Sequence, residues 1–368
     1  MAKSNFSLLG KEINERLKRR ARFIKALDKR WKWIGYGAIC FALFGLLSFF
    51  PAFTERFYSR GIFVAVRYFY DYTLGLLPFS VTLWLNLTVL IYIIIKVLRY
   101  IKRIFRKEEL SFKDKAKYGL LSIGGFAGKV SVIFFIGWGF NFHRTPIEQQ
   151  LNFEMAPLNQ KEILIEANFA RKQAVKAREK LNIGDKAFMD PELPGDLENL
   201  MRTNLEEVLV ALDYPTPGKP RCRFIDNNKW LRMFGYTGVY VSFYGEALVS
   251  SSDIRAVYRP FFIAHELVHA YGFHDEATAN FLAFLACEHS TNYAIKYSGR
   301  LVHLMYLRHE IKAIKDKGGL GYFKSYYPKQ IQTDFEANGI FGSNKNYNRM
   351  ILLVKGFRLK YGLNSKNF

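Results

Sequence analysis

The chain has 368 residues, enough for two domains of ordinary size, and half of its residues are hydrophobic, with an aromatic share of 17%. Its net charge of +22 is typical of nucleic-acid-binding proteins, but the placement of the charge argues against that role. The Lys and Arg residues cluster beside apolar segments, where they usually meet anionic lipid head groups. We therefore expect a membrane protein whose partner is membrane lipid and which binds no nucleic acid.

Three long apolar segments follow one another in the first part of the chain. Residues 33–50 and 79–95 contain no charged residue, and residues 118–142 contain only Lys129. Segments of this length can cross the hydrocarbon core of a bilayer as helices. We expect the first to remain as an anchor, because about 30 mostly polar and charged residues precede it. The sequence thus predicts three transmembrane helices, at about 33–52, 79–97 and 118–142.

The basic residues orient these helices. Residues 1–32 carry eleven Lys and Arg against three acids, and residues 96–117 carry nine against three. The loop at 51–78 has only three Arg against two acids. By the positive-inside rule, the N-terminus and the 96–117 loop are cytoplasmic. We therefore predict a multi-pass protein of the cytoplasmic (inner) membrane whose domain after the third span is extracytoplasmic.

Lys129 lies near the middle of the third predicted span, where a charge is expensive and often functional. A second interpretation is that Gly124, Gly125 and Gly128 let another helix approach closely, while Lys129 reaches the interface or finds a partner. We favour the second interpretation.

The periodicity of the remaining chain predicts a mostly helical α+β domain with a small sheet over residues 143–368, after the membrane anchor of residues 1–142. The segment YTGVYVSFY, at 236–244, is rich in β-branched and aromatic residues and is the best strand candidate. Amphipathic and apolar patterns predict helices at 159–181, 197–211, 258–271, 275–296 and 298–316, with a mostly helical tail that closes on NRMILLVKGFRLKYG.

The pattern HExxH occurs once, at His265, Glu266 and His269. Residues four apart share one face of a helix, so both imidazoles can bind one metal ion while Glu266 reaches beside it. Zinc in such a site lowers the pKa of water to about 7 and polarises a carbonyl, and a neighbouring carboxylate can take the proton of the water. We predict a Zn²⁺ site in which His265 and His269 are ligands and Glu266 is the catalytic base.

A third protein ligand is needed, and the residues after the HExxH helix supply three candidates. Gly272 permits a turn, and Asp275 can cap the next helix, which places Glu276 and Asn280 on one face of that helix. We select Glu276 as the third ligand, with Asn280 holding a ligand by a hydrogen bond. The first rival is Asp275, in the spacing HExxHxxGxxD of metzincin peptidases. The second is His274.

These residues resemble a family of uncharacterised bacterial multi-pass membrane proteins that end in a zincin-like domain of unknown function. The resemblance runs from WGFNFHRTP at 138 through VYVSFYGEA at 239 to PFFIAHELVHAYGF and ANFLAFLAC, which ends at 287. Thr278 stands where the family more usually has an acid. The segment ExxAN is also similar to the ExxAD of membrane-embedded gluzincin peptidases. Both likenesses imply metal binding by His265, His269 and Glu276 with Glu266 as base.

We therefore expect a membrane-anchored zinc metalloendopeptidase that hydrolyses a peptide or protein substrate, with the 236–244 strand pairing with the substrate along the cleft. Tyr258, Arg259 and Tyr271 are candidates to stabilise an oxyanion. Two alternatives stay open. One is a non-peptidase membrane assembly or scaffold protein with a structural or vestigial zinc site, and the other is a zinc hydrolase of lipid or cell-wall amide bonds.

Overall fold

The computed structural model of the protein describes residues 29–105, 112–189, 193–225, 238–251, 254–315, 327–338 and 347–362. The described chain is mostly helical, with one small three-stranded sheet. In chain order, the first elements are α1 (Lys29–Leu47), α2 (Pro51–Phe53, continued by the π-helix Thr54–Ile62 and by Phe63–Asp71), α3 (Val81–Phe105), α4 (Phe112–Gly137), α5 (Ile147–Gln150), α6 (Gln160–Glu179) and α7 (Leu197–Ala211). These are followed by β1 (Cys222–Ile225), β2 (Gly238–Val241), β3 (Glu246–Ser250), α8 (Arg259–Ala270), α9 (Glu276–His289), α10 (Tyr293–Lys315), α11 (Lys329–Asn338) and α12 (Tyr347–Tyr361).

The chain divides into two compact units. The first contains Met1–Phe50 and Leu83–Phe140, and the second contains Pro51–Thr82 and Asn141–Phe368. The larger stretch of the second unit begins at Asn141, and the sequence predicts a domain from residue 143. It also includes the segment between the first two apolar helices, which we expected to be a simple loop.

Two helices of the first unit are long and apolar enough to cross a membrane, over Val81–Arg99 and Ala116–Gly137. A third candidate exists only if Lys29–Leu47 and Pro51–Leu76 are counted together as one interrupted span. The described chain therefore carries two or three candidate membrane-spanning helices, where the sequence predicts three.

Glycines bring α1 and α4 together. A Cβ on Gly37 would lie 2.8 Å from the Cα of Gly128, so the two backbones nearly touch. The ammonium group of Lys129 lies 5.4 Å from the centre of the Trp33 ring, within reach of a cation–π contact. The structure agrees with the interpretation in which the glycines serve helix packing and Lys129 has a partner.

The sheet has the strand order β1-β3-β2. Strand β3 lies in the centre, parallel to β1 and antiparallel to β2, and all five of its residues are buried. Of the predicted strand at 236–244, residues 236 and 237 lie outside the described residues. Strand β2 ends at Val241, because a turn at 242–245 connects it to β3. Gly245 makes this turn possible with a φ of +70°, a conformation that side chains rarely adopt. Strands β1 and β3 were not predicted.

Helix α8 lies at the centre of the second unit and packs against α7, α9, α10 and the sheet. Pro260 in its first turn fixes the starting φ. The helix ends at Ala270, and Gly272, two residues further on, has a φ of +86°. All its residues from 260 to 270 are buried except Phe262, which is half-buried. This burial explains why the sequence around the HExxH pattern is almost wholly apolar.

Most predicted helices keep their bounds in the structure, but the break between α9 and α10 is displaced. The sequence predicts this break at residue 297, whereas α9 ends at His289 and α10 begins at Tyr293. The reason is a local cap, because Oδ1 of Asn292 accepts a hydrogen bond of 2.8 Å from the backbone N–H of Ala294.

Candidate metal centre

Helices α8 and α9 bring three side chains of the predicted metal site together. The Nε2 atoms of His265 and His269 are 3.2 Å apart. The carboxylate oxygens of Glu276 lie 3.2 Å from Nε2 of His265 and 3.6 Å from Nε2 of His269. Both histidines are buried, whereas the side chain of Glu276 is 45% exposed. The cluster is therefore closed on the side of α8 and accessible on the side of Glu276.

These distances fit a metal centre. Four ligands placed tetrahedrally at about 2.0–2.1 Å from a zinc ion lie about 3.4 Å from one another. Among the residues that the structure describes, His265, His269 and Glu276 form the cluster whose donor atoms could hold a metal ion. Two imidazole nitrogens and a carboxylate oxygen are donors that zinc accepts.

The hydrogen bonds around the histidines orient them for this role. Nδ1 of His269 lies 2.7 Å from the backbone carbonyl oxygen of Phe273, which fixes the proton on Nδ1 and leaves Nε2 free to bind a metal. Asn280 lies beside His265, and its Oδ1 accepts a hydrogen bond of 3.3 Å from the Tyr306 hydroxyl. The structure thus places Asn280 next to His265, one of the candidate ligands.

The ionisation of the cluster is strongly coupled. The hydrogen bond from His265 and the nearby imidazole charges outweigh burial and lower the pKa of Glu276 to about 2. Burial and the charge of His265 lower the pKa of His269 to about 4. Burial also disfavours the charged form of His265, but Glu276 and Glu266 raise its pKa above the ordinary value. At neutral pH the cluster therefore offers an ionised carboxylate and a neutral His269.

Glu266 lies on the same helix and is only 5% exposed. Burial is the main cause that raises its pKa to about 7, and the charge of Glu276 adds to the effect. Its carboxylate packs against the start of β2, because a Cβ on Gly238 would lie 2.5 Å from Oε1 of Glu266. A carboxyl group with this pKa can both accept and release a proton near neutral pH.

The two rival ligands, Asp275 and His274, make other contacts. The carboxylate of Asp275 caps α9 by accepting from the backbone N–H of Thr278 at 2.8 Å and from the Thr278 hydroxyl at 2.6 Å. It also forms an ion pair of 2.6 Å with Arg349. His274 packs against the ring of Phe142, with the ring centres 4.9 Å apart. Asp275 thus serves as a helix cap, the alternative to metal binding that its position allows.

The three candidates for oxyanion stabilisation, Tyr258, Arg259 and Tyr271, are buried or make hydrogen bonds to other residues. The Tyr271 hydroxyl donates a hydrogen bond of 2.7 Å to Glu206, and the Arg259 guanidinium donates to the carbonyl oxygens of Ile254 and Ser251. Tyr258 is buried, with an exposed fraction of 3%. None of these contacts brings a donor to the His265, His269 and Glu276 cluster.

Residues of α2 hold the turn that follows α8, a role that the sequence did not predict. Glu55 accepts hydrogen bonds of 2.8 and 2.7 Å from Arg144, which in turn donates to the carbonyl oxygen of Tyr271 at the end of α8. The ring of Phe63 fills the space beside Gly272, where a Cβ would lie 2.7 Å from Cε1 of the ring. The turn after α8 is therefore built on α2.

Arg67 extends this support to the sheet. Its guanidinium is fully buried, pairs with Asp71, and donates hydrogen bonds of 3.0 Å to the Tyr240 hydroxyl and to the Gly245 carbonyl oxygen. Tyr240 and Gly238 are two residues apart on β2 and so share the face that packs on α8. The signal in the sequence for this contact is Gly238 itself, since a glycine inside a strand often marks a place where another group approaches the backbone closely.

Glu246 anchors the start of α3. It accepts hydrogen bonds from the Ser80 hydroxyl at 2.8 Å and from the backbone N–H of Thr82 at 2.9 Å, and it pairs with Arg223 at 2.6 Å. The Glu of the GEA segment is therefore a helix cap for an apolar helix.

The fold and the cluster define a mostly helical protein whose apolar helices are compatible with membrane association and whose adjacent helices α8 and α9 carry a His, His, Glu set. A family model described as a protein of unknown function (DUF3810) matches residues 58–354, and the chain belongs to this family. No curated protein and no solved structure gives a match.

Proposed function

We propose that the protein is a membrane-anchored zinc-dependent metalloendopeptidase with a zincin-like site, acting on the outer face of the cytoplasmic membrane. The observation that carries the proposal is the convergence of His265, His269 and Glu276 within 4.8 Å, with the buried carboxyl of Glu266 on the same helix. This set has the ligands and the base that metal-assisted hydrolysis requires.

The residues of the site have separate roles in this proposal. His265, His269 and Glu276 hold the metal, which when bound acidifies water and polarises the carbonyl of the substrate. Glu266 takes the proton from the attacking water and delivers it to the leaving amine, since its pKa of about 7 suits both directions of transfer. Asn280 and the carbonyl of Phe273 keep the imidazoles in position.

Strand β2 is the proposed substrate guide. It pairs with β3 along one edge and stands at the end of the sheet, so its other edge can pair with an extended peptide. Gly238 at its start contacts Glu266, so a peptide on this edge would run beside the base.

The sidedness follows from charge and connectivity. Pro51–Thr82 and Asn141–Phe368 form one unit, which supports the proposal that both stretches lie on the same side of the membrane. The two apolar helices between them must then cross in opposite directions. The excess of Lys and Arg at 96–117 assigns that turn to the cytoplasm. The candidate site therefore faces the outside.

The test uses purified full-length protein and a peptide library. Wild-type protein should cleave peptides, and Glu266→Gln should retain metal but lose cleavage because the amide cannot take the proton. Glu179→Gln, which neutralises an exposed carboxylate of α6, is the matched control and should cleave like wild type. Unchanged cleavage in Glu266→Gln would refute the assigned base.

One observation favours a second function, a membrane assembly or scaffold protein with a structural or vestigial metal site. His265, Glu266 and His269 are 7%, 5% and 8% exposed, and β2 lies directly on Glu266. A site this closed suits a structural ion. This function predicts metal binding without turnover on peptides, lipid extracts or cell-wall extracts, and a cellular phenotype that Glu266→Gln leaves unchanged.

A further inference from the structure

Helix α2 buries charged and polar side chains and exposes large apolar ones. A helix on the surface of a water-soluble domain buries apolar residues and exposes polar ones. In α2 five polar residues are buried beside Tyr58, Phe63 and Tyr70, with exposed fractions of 0–7%: Thr54, Glu55, Ser59, Arg67 and Asp71. The opposite side of the segment is apolar and largely aromatic, with exposed fractions of 53–69%, and we call it the aromatic face: Phe53, Phe57, Ile62, Phe69, Tyr72 and Leu76.

The buried positions of α2 recur at intervals of about four residues, which an α-helix with 3.6 residues per turn cannot hold on one face for five turns. The wider turns of Thr54–Ile62 compensate for the difference. Glu55, Arg67 and Asp71 therefore all point into the domain, and Phe57 and Phe69 both point away from it.

We propose that the aromatic face is seated in the membrane, at the boundary between the lipid head groups and the acyl chains. An exposed apolar surface of this extent marks an interaction site, and Phe and Tyr side chains together with amphipathic helices are typical of that boundary. The charged residue on this side is Arg56, whose long side chain can extend to the phosphates.

The chain connections identify lipid as the occupant. Helix α2 begins four residues after α1 ends, and α3 begins five residues after Leu76. Fully extended, these connections reach at most about 14 and 18 Å. Both neighbouring helices are apolar, and a head-group layer is only about 6 Å thick on each side of the hydrocarbon core. The aromatic face is thus joined by short connections to α1 and to α3, and α3 is long and apolar enough to cross a membrane.

This placement fixes the depth of the candidate metal centre. The buried face of α2 carries Phe63, which contacts Gly272 at the end of α8. The site then lies about one helix diameter, roughly 10 Å, from the lipid. That the substrate is taken at the membrane surface depends on the proposed function, but the lipid contact itself does not.

The test is the accessibility of spin labels in full-length protein reconstituted into phosphatidylcholine and phosphatidylglycerol vesicles. The labels are placed by Phe57→Cys and Phe69→Cys on the aromatic face, and by Val210→Cys and Leu359→Cys as controls. The controls are apolar residues of the same unit with comparable exposure, 61% and 66%, on α7 and α12. The native cysteines are all buried and are replaced by alanine: Cys40, Cys222 and Cys287.

Labels at 57 and 69 should collide more often with oxygen, which dissolves in lipid, than with a water-soluble nickel chelate, and labels at 210 and 359 should show the opposite order. Equal access of nickel to all four positions would overturn the proposal, because the aromatic face would then lie in water. Exclusion of both reagents from 57 and 69 would overturn it as well, because another protein or a second copy would cover the face. All four positions are exposed, so the labels leave the fold intact.

Discussion

The substitution Gly238→Ala should displace Glu266, the proposed base, and leave the three candidate metal ligands in place. The added Cβ would lie 2.5 Å from Oε1 of Glu266 and 2.9 Å from its Cδ and Cγ, whereas ordinary contact begins at 3.4 Å. Either the carboxyl or β2 must therefore move by about 1 Å, a displacement that can cost about 100-fold in rate. This corresponds to about 2.7 kcal/mol in the activation barrier. The three atoms nearest to the added Cβ all belong to Glu266, so we expect the three candidate ligands to keep their places.

The assay has two readouts. The turnover of Gly238→Ala should fall about 100-fold while the metal content stays at the wild-type level. Its unfolding free energy should fall by about 1–3 kcal/mol, the usual cost of overpacking, even if no substrate is at hand. Gly195→Ala is the matched control, because a Cβ there meets no atom within 4 Å. Wild-type turnover and stability in Gly238→Ala would refute the contact between β2 and Glu266.

Three further predictions concern residues around the site. Asp275→Ala removes the cap of α9 and should lower stability by about 1–2 kcal/mol in thermal unfolding while the metal is retained; loss of metal would make Asp275 the ligand. Arg67→Met leaves the buried Asp71 uncompensated and should cost about 3–5 kcal/mol, part of which Asp71→Asn in the same chain should restore. Burial lowers the pKa of His303 to about 3, so between the ordinary value of about 6.5 and 3 the unfolded chain binds a proton that the folded chain does not. Stability should therefore fall as the pH falls through this window, and His303→Leu should flatten the profile; an unchanged profile would contradict the buried neutral imidazole.

The parts of the fold that the sequence predicts well are those with local signals. Helix α6 begins at Gln160 after a capping box formed by Asn159 and Glu162, and α8 ends at Ala270, shortly before Gly272. A cap thus marks the start of α6, and a glycine follows the end of α8. The meeting of the HExxH residues with Glu276 follows from helix periodicity and one short turn. It needs no knowledge of distant contacts.

The parts that were missed depend on distant contacts. Strands β1 and β3 are four and five residues long, and their pattern is set by neighbours in the sheet. The contacts of α2 with the turn after α8 and with the sheet were not predicted, because the sequence of α2 follows neither the pattern of a soluble helix nor that of a membrane span. Its charged residues Glu55, Arg67 and Asp71 can be buried because Arg144, Tyr240 and Lys219 from later in the chain supply their partners.

The central claim is that His265, His269 and Glu276 together bind one divalent ion. Its most direct test is elemental analysis of metal-depleted full-length protein after equilibration with zinc and removal of the excess, for wild type and for Glu276→Gln. The account predicts about one zinc per chain in the wild type and a large loss in Glu276→Gln, whose amide is a poorer ligand than the carboxylate. A wild-type protein that retains no metal, or a Glu276→Gln variant that binds it as tightly, would contradict the account.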